Sequence, residues 1–301
     1  MELQAYRGLV WADVMRTTNK EWAYLQQHPD YNEATQKIEN DFARYKAKFE
    51  SGELTEKLFA EGCVLATADC LCQMFDDFRH KNIVLNVPHT SPYGFLQNGW
   101  GEDIRDSVNR WTDWFTKELF DGGTNPYIKA AIFPFSRFVC DVERLENDPL
   151  EAKGQGILYT EFDGIERGKF DRDKLMGLYY NHIDTLKKLL NVDSILIDCH
   201  SFPSDLSNVD ICVGFNDDWS KPSRRTLAII KEAFKGNGYR VGFNKPYSNS
   251  ISPKMPFDYQ SVMIEVNKRC YLNADNTINQ NAFAALHERI IEIYNDLLKE
   301  K

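Results

Sequence analysis

Short apolar runs and longer periodic stretches alternate along most of this chain. Residues 83–88, Ile-Val-Leu-Asn-Val-Pro, form the first β-rich run, which closes in a proline turn. Similar runs recur at 130–133, 194–199, 210–215 and 261–266. Between them, segments near 104–120, 171–191, 224–236 and 280–299 read as helices. Strands alternating with helices predict an α/β fold with a mainly parallel, mixed sheet flanked by helices. The first eighty residues have a different texture and read as helical. Residues 21–25 lead into a charged periodic stretch from Asn32 to Phe49, with apolar positions at Ile38, Phe42, Tyr45 and Phe49. Ser51-Gly52 breaks it, and a second helix is expected from about Thr55 to Arg79. The expected organisation is a helical N-terminal extension over residues 1–80 and one α/β domain over 81–301. The extension carries no chemical constellation and reads as a packing or oligomerisation element.

Composition narrows the class of protein. Over 301 residues, 43% hydrophobic and 13% aromatic content supports a packed core rather than disorder. A formal charge of −9 repels phosphate backbones and argues against nucleic-acid binding. No apolar stretch approaches the roughly 18 residues needed to span a bilayer. The start, Met1-Glu2-Leu3-Gln4-Ala5-Tyr6-Arg7, lacks the pattern of a secretory signal. The seven cysteines form no paired zinc-ribbon spacing, and Cys140, Cys199 and Cys212 sit inside apolar runs. A reducing, cytoplasmic setting with free thiols is expected.

The polar residues at the strand ends carry the chemistry. In open α/β sheets ligands collect beyond the carboxyl ends of strands. His89 follows the first run directly, and His200 follows residues 195–199. Each suits a metal ligand, and each also suits a core histidine bonded to a backbone carbonyl; their matching positions favour a shared site. A catalytic zinc takes three protein ligands, and a carboxylate is the usual third. Asp113, between Trp111 and Trp114 on an expected helix, is one candidate, although a solvated helix face would explain it equally. Glu265, inside an apolar strand, is costly to bury unless paired, bound or catalytic, and so is a candidate general base. An exposed edge strand is its alternative reading. Arg137 and Arg144 flank an expected apolar strand, which a turn after Val139 would need to fold so that both reach one pocket. They suit a carboxylate clamp and a carbonyl-polarising group, or a pair of structural ion pairs. Ser201 follows His200 without a nucleophile elbow, and Gly236-Asn237-Gly238 reads as a turn.

Taken in order, these segments resemble the N-formylglutamate amidohydrolase family. The resemblance rests on Val87-Pro88-His89-Thr90-Ser91, Thr112-Asp113-Trp114, the run Ser136 to Arg144, Tyr179-Tyr180-Asn181-His182 and Asp198-Cys199-His200-Ser201. It continues through Asp210 to Gly214, Asn244-Lys245-Pro246-Tyr247 and Val262 to Asn267, covering about residues 81–300. It implies a zinc-carboxypeptidase-like fold and one zinc per chain, held by His89, Asp113 and His200. It further implies Glu265 and Arg137 as catalytic groups, and Arg144, His182, Asn244 and Tyr247 as substrate contacts. Asp198 reads as a core or supporting acid. The implied substrate is a small acidic N-acyl amino acid such as N-formylglutamate. A zinc peptidase, another N-acyl amino acid amidase and a catalytically silent binding protein are the alternatives. The chain departs from the family at Ser91, where glycine is usual, at Ser248-Asn249-Ser250, where a glycine pair is usual, and at Glu143, where asparagine is common.

Overall fold

The computed structural model describes residue 26, residues 31–63, residue 66, residues 81–146 and residues 148–299. They fall into two compact units. The smaller holds the described residues up to Lys81, with Asn191–Asp193 and Met255–Phe257; the larger holds the remainder. In the smaller unit α1 (Tyr31–Glu50) occupies the charged periodic stretch, with Glu33 in its first turn and Lys48 in its last, as the helix dipole favours. It ends at Ser51-Gly52, where Gly52 takes a φ of 79°, a conformation that costs glycine least. Residues 56–63 are helical again. The expected segment 21–25 and most of the second helix beyond residue 63 lie outside the described residues.

The larger unit runs β1 (Ile83–Val87), α2 (Arg105–Trp111), α3 (Thr116–Leu119), β2 (Ile128–Ile132), β3 (Glu161–Phe162), β4 (Ile165–Glu166), α4 (Arg172–Leu189), β5 (Ile195–Phe202), β6 (Ile211–Gly214), α5 (Arg224–Lys235), β7 (Val241–Phe243), β8 (Gln260–Asn267) and α6 (Gln280–Lys299). Six strands form one sheet in the order β2-β1-β5-β8-β6-β7, while β3 and β4 make a separate hairpin. Every neighbouring pair in the large sheet is parallel except β6 with β8. Side-chain caps start two of the helices, with Asp171 accepting from Lys174 N on α4 and Ser223 accepting from Thr226 N on α5.

Alternation along the strands separates two environments. Ile83, Leu85 and Val87 of β1, Ile195, Ile197 and Cys199 of β5, and Val262, Ile264 and Val266 of β8 join one apolar core with α5 and α6. Ile230 and Phe234 of α5, and Leu286, Ile290 and Tyr294 of α6, complete it, all of them buried. Each such side chain contributes about 1.5–3 kcal/mol through burial. The intervening residues, including Asn86, Asp198, His200, Ser261 and Glu265, occupy the opposite face and are also buried.

Two local expectations change. Segment 104–120 is two short helices rather than one, because residues 112–115 leave the helix and Phe115 adopts a φ of 60°. Asp113 therefore sits in a break, where its N–H donates to His89 O at 2.9 Å instead of to a helical carbonyl. Segment 136–144 is a pair of turns and not a strand. Its N–H groups bond within the turns, as in Val139 N to Ser136 O and Arg144 N to Asp141 O. Strand β7, with glycine at its centre and three residues long, was not expected.

Candidate metal centre and active site

His89 leaves the carboxyl end of β1, and His200 lies near the carboxyl end of its neighbour β5. The backbone bond from Asp113 to His89 brings the α2–α3 break against the same point. As a result Nδ1 of His200 lies 3.1 Å from Asp113 Oδ2, and Nδ1 of His89 lies 3.8 Å from the same oxygen. All three residues are buried, at 1–2% exposure. Ser201 Oγ donates to the other Asp113 oxygen at 3.2 Å.

The far nitrogens of the two imidazoles share one kind of partner. His89 Nε2 lies 2.7 Å from Asp141 Oδ1, and His200 Nε2 lies 3.1 Å from Asp198 Oδ1. An ionised carboxylate only accepts, so each Nε2 carries the proton, and in the neutral ring each Nδ1 presents its lone pair toward Asp113. The buried Nδ1 of His89 has no hydrogen-bond partner. Ligands about 2.0–2.2 Å from one ion are themselves about 3–4 Å apart, as these donors are. Two imidazoles and a carboxylate, oriented from behind by aspartates, fit zinc chemistry, and the residues present fit such an ion.

Asp141 anchors the surrounding turn. Its Oδ2 accepts from Tyr159 Oη at 2.5 Å and from Arg137 Nη2 at 3.1 Å, with Arg144 Nε 3.6 Å away. Burial works against its ionisation, but Arg137, His89 and Arg144 hold it well below the usual carboxylate range. Asp198 is fixed similarly, by Asn86 Nδ2 at 2.7 Å and Ile251 N at 3.2 Å. For His200, burial lowers the pKa, yet Glu143 and Asp198 outweigh it and raise the imidazole well above its ordinary value.

A cavity of about 270 Å³ opens onto this cluster, with Asp113, His200, Glu265, Arg137, Arg144 and Tyr247 among its walls. Glu265 is paired across the sheet with His200, which places both on one face. Its Oε2 is buried without a partner. Burial, reinforced by Asp113 and Glu143 and opposed by His200, pushes its carboxyl up to about 8. Arg144 Nε is likewise buried without a hydrogen bond.

Two expected contacts lie elsewhere. His182, on α4, points its Nε2 at Asn86 Oδ1 at 2.7 Å and packs edge-on against Phe133, away from the cavity walls. Burial brings its pKa down to about 4. Asn244, at a φ of 51°, accepts from Phe215 N at 2.9 Å, tying its loop to the end of β6 rather than lining the cavity. Two acids at the site were not singled out from sequence. Asp141 stood between the arginines without a role. Glu143, whose departure from the family pattern was the available signal, places Oε1 3.1 Å from His200 Nε2.

The family model for N-formylglutamate amidohydrolase matches residues 82–272. Among solved structures, N-formylglutamate amidohydrolase from Ralstonia eutropha JMP134 is similar at a TM-score of 0.59 and 17% identity, over 73% of this chain and 93% of that one. A gene product of Agrobacterium tumefaciens is similar at a TM-score of 0.52 and 15% identity, over 72% of this chain and 90% of that one. At these identities the likeness is one of fold. No curated protein sequence matches the chain. The matched segment begins just before β1, ends just after β8 and contains every strand and polar group described above, so the chain belongs to the N-formylglutamate amidohydrolase family and is an amidohydrolase.

Proposed function

We propose that this amidohydrolase is zinc-dependent and cleaves the N-acyl bond of a small acidic amino acid derivative, with N-formylglutamate the first substrate to test. The observation that carries the reading is a buried His89–Asp113–His200 donor set beside a cavity whose wall holds an unpartnered Glu265 oxygen. A divalent ion held there would polarise the acyl oxygen and acidify a water molecule.

The chain's own groups do the remaining work. Glu265 takes a proton from the attacking water and returns it to the departing nitrogen. A carboxyl raised to about 8 lies near the range in which one group performs both transfers. Arg137 commits two of its donor nitrogens to Asp141 and faces the cavity with the rest, where negative charge develops on the acyl oxygen. Arg144 is the group for the substrate carboxylate, its guanidinium only loosely held by Asp141. Tyr247 forms part of the wall beside them. The low exposure of Asp113 and His200 keeps bulk water from competing with these interactions.

Side-by-side assay of N-formyl-, N-acetyl- and peptidyl-glutamate, with N-formyl-leucine as the neutral control, tests the substrate class. Formate release from N-formylglutamate, abolished by chelation and restored by zinc, is expected. Equal turnover of the neutral control would overturn the acidic specificity, and turnover confined to a peptidyl derivative would make the chain a peptidase. We further propose a cytoplasmic setting, supported by the thiols of Cys140, Cys199 and Cys212, which are free and buried. Among the described residues no helix is long and apolar enough to cross a membrane.

A further inference from the structure

Glu143 belongs to the turn that Asp141 organises, its own N–H donating to Asp141 Oδ1 at 3.3 Å. The aspartate that orients His89 therefore also sets the direction of Glu143. The Glu143 side chain is 19% exposed and lines the cavity. Its Oε1 lies 3.1 Å from His200 Nε2, and its Oε2 lies 3.8 Å from His89 Nδ1.

Hydrogen bonding does not account for this placement. The single proton on His200 Nε2 already faces Asp198 at 3.1 Å, so Glu143 can only share it. The 3.8 Å gap to His89 is too long for a hydrogen bond. His89 Nδ1, unpartnered in a residue 1% exposed, stands equally far from Asp113 Oδ2 and from Glu143 Oε2. A lone pair facing two carboxylate oxygens is repelled by both unless positive charge lies between them. The ion pairs of Glu143 among the described residues are with these two histidines alone.

We propose that Glu143 is a fourth protein donor to the ion held by His89, Asp113 and His200, an inference that rests on the metal-dependent reading above. Two carboxylates neutralise a dication and hold it more tightly than one. They also complete a four-coordinate set, so an incoming substrate oxygen must either displace Glu143 or expand the coordination to five.

The test is zinc titration of metal-stripped wild type, Glu143→Gln and Glu143→Asp against a chromophoric chelator, with visible spectra of the cobalt-loaded forms. Circular dichroism of each stripped protein reports folding. Wild type is expected to bind one ion per chain. Both variants are expected to bind at least about 10-fold more weakly, because Gln removes the charge and Asp the reach, and their cobalt spectra are expected to shift. Unchanged affinity and an unchanged spectrum in either folded variant would overturn the proposal while leaving the metal-dependent reading intact. Failure of wild type to bind zinc or cobalt would overturn both.

Discussion

The two faces of β1, β5 and β8 are made from alternate residues of the same segments, yet they serve opposite ends. On one face Ile195, Ile197 and Cys199 meet α5 and α6 in a core without a charged side chain. On the other, one residue out of step, Asp198 and His200 belong to a hydrogen-bonded polar network. Because side chains alternate strictly along a strand, a single segment supplies both stability and chemistry without either set intruding on the other. The apolar face is held by area, whereas on the polar face partners decide each group's state. His182 and His200 are both buried, but His182 faces an amide and a phenyl ring and is driven toward neutrality, while His200 faces carboxylates and is driven the other way.

The largest effect that sharpens this contrast comes from the polar face. Glu265→Gln is expected to lower kcat/KM by about 10²–10⁴-fold while keeping the metal, and without loss of thermal stability, since a neutral amide replaces a buried acid. Loss of metal together with activity would make Glu265 a ligand instead of a base. Ile197→Ala, on the opposite face of the same strand, should cost about 2–5 kcal/mol in denaturant unfolding yet leave metal content unchanged. Metal loss in that variant while it remains folded would show that the two faces are not separable.

A smaller effect concerns pH. The folded pKa of His182, about 4, lies below the unfolded value of about 6.5, so the unfolded chain binds the proton more readily. Its contribution is fully present above about pH 6.5 and declines as pH falls toward 4, by about 3 kcal/mol in all. The stability difference between wild type and His182→Gln, measured at intervals across that window, should change by this order; a constant difference would contradict the assignment. Smallest is Arg144→Lys, for which KM for the acidic substrate is expected to rise about 10-fold, roughly 1.4 kcal/mol, with kcat nearly kept. An equal loss on a neutral analogue would indicate a structural role.

Much of the larger unit was legible because its strands and helices follow apolar periodicity, from β1 through β8 to α6. The exceptions share a cause. Strand β7 is too short and too glycine-interrupted to carry a pattern. Apolar positions at 104, 108, 111 and 115 sustain a helical reading through Asp113, and only the tertiary bond to His89 O explains why the helix breaks there. His89, His200 and Glu265 could be found because strand ends concentrate function. Asp141 and Glu143 could not be found in the same way, since the conformation of residues 136–144 is set by side-chain partners distant in sequence, such as Tyr159 and His89. His182 was legible as helical, but its facing toward Asn86 depends on how α4 packs over β1, which the helix's own periodicity does not encode.

The central claim is that the Nδ1 atoms of His89 and His200, with Asp113, hold a catalytic ion. Elemental analysis of purified wild type beside His200→Ala, after zinc reconstitution and desalting, tests it most directly. About one zinc per chain in wild type and almost none in the folded variant is the expected result. Wild type that retains no metal, or a variant that retains it fully, would contradict the account.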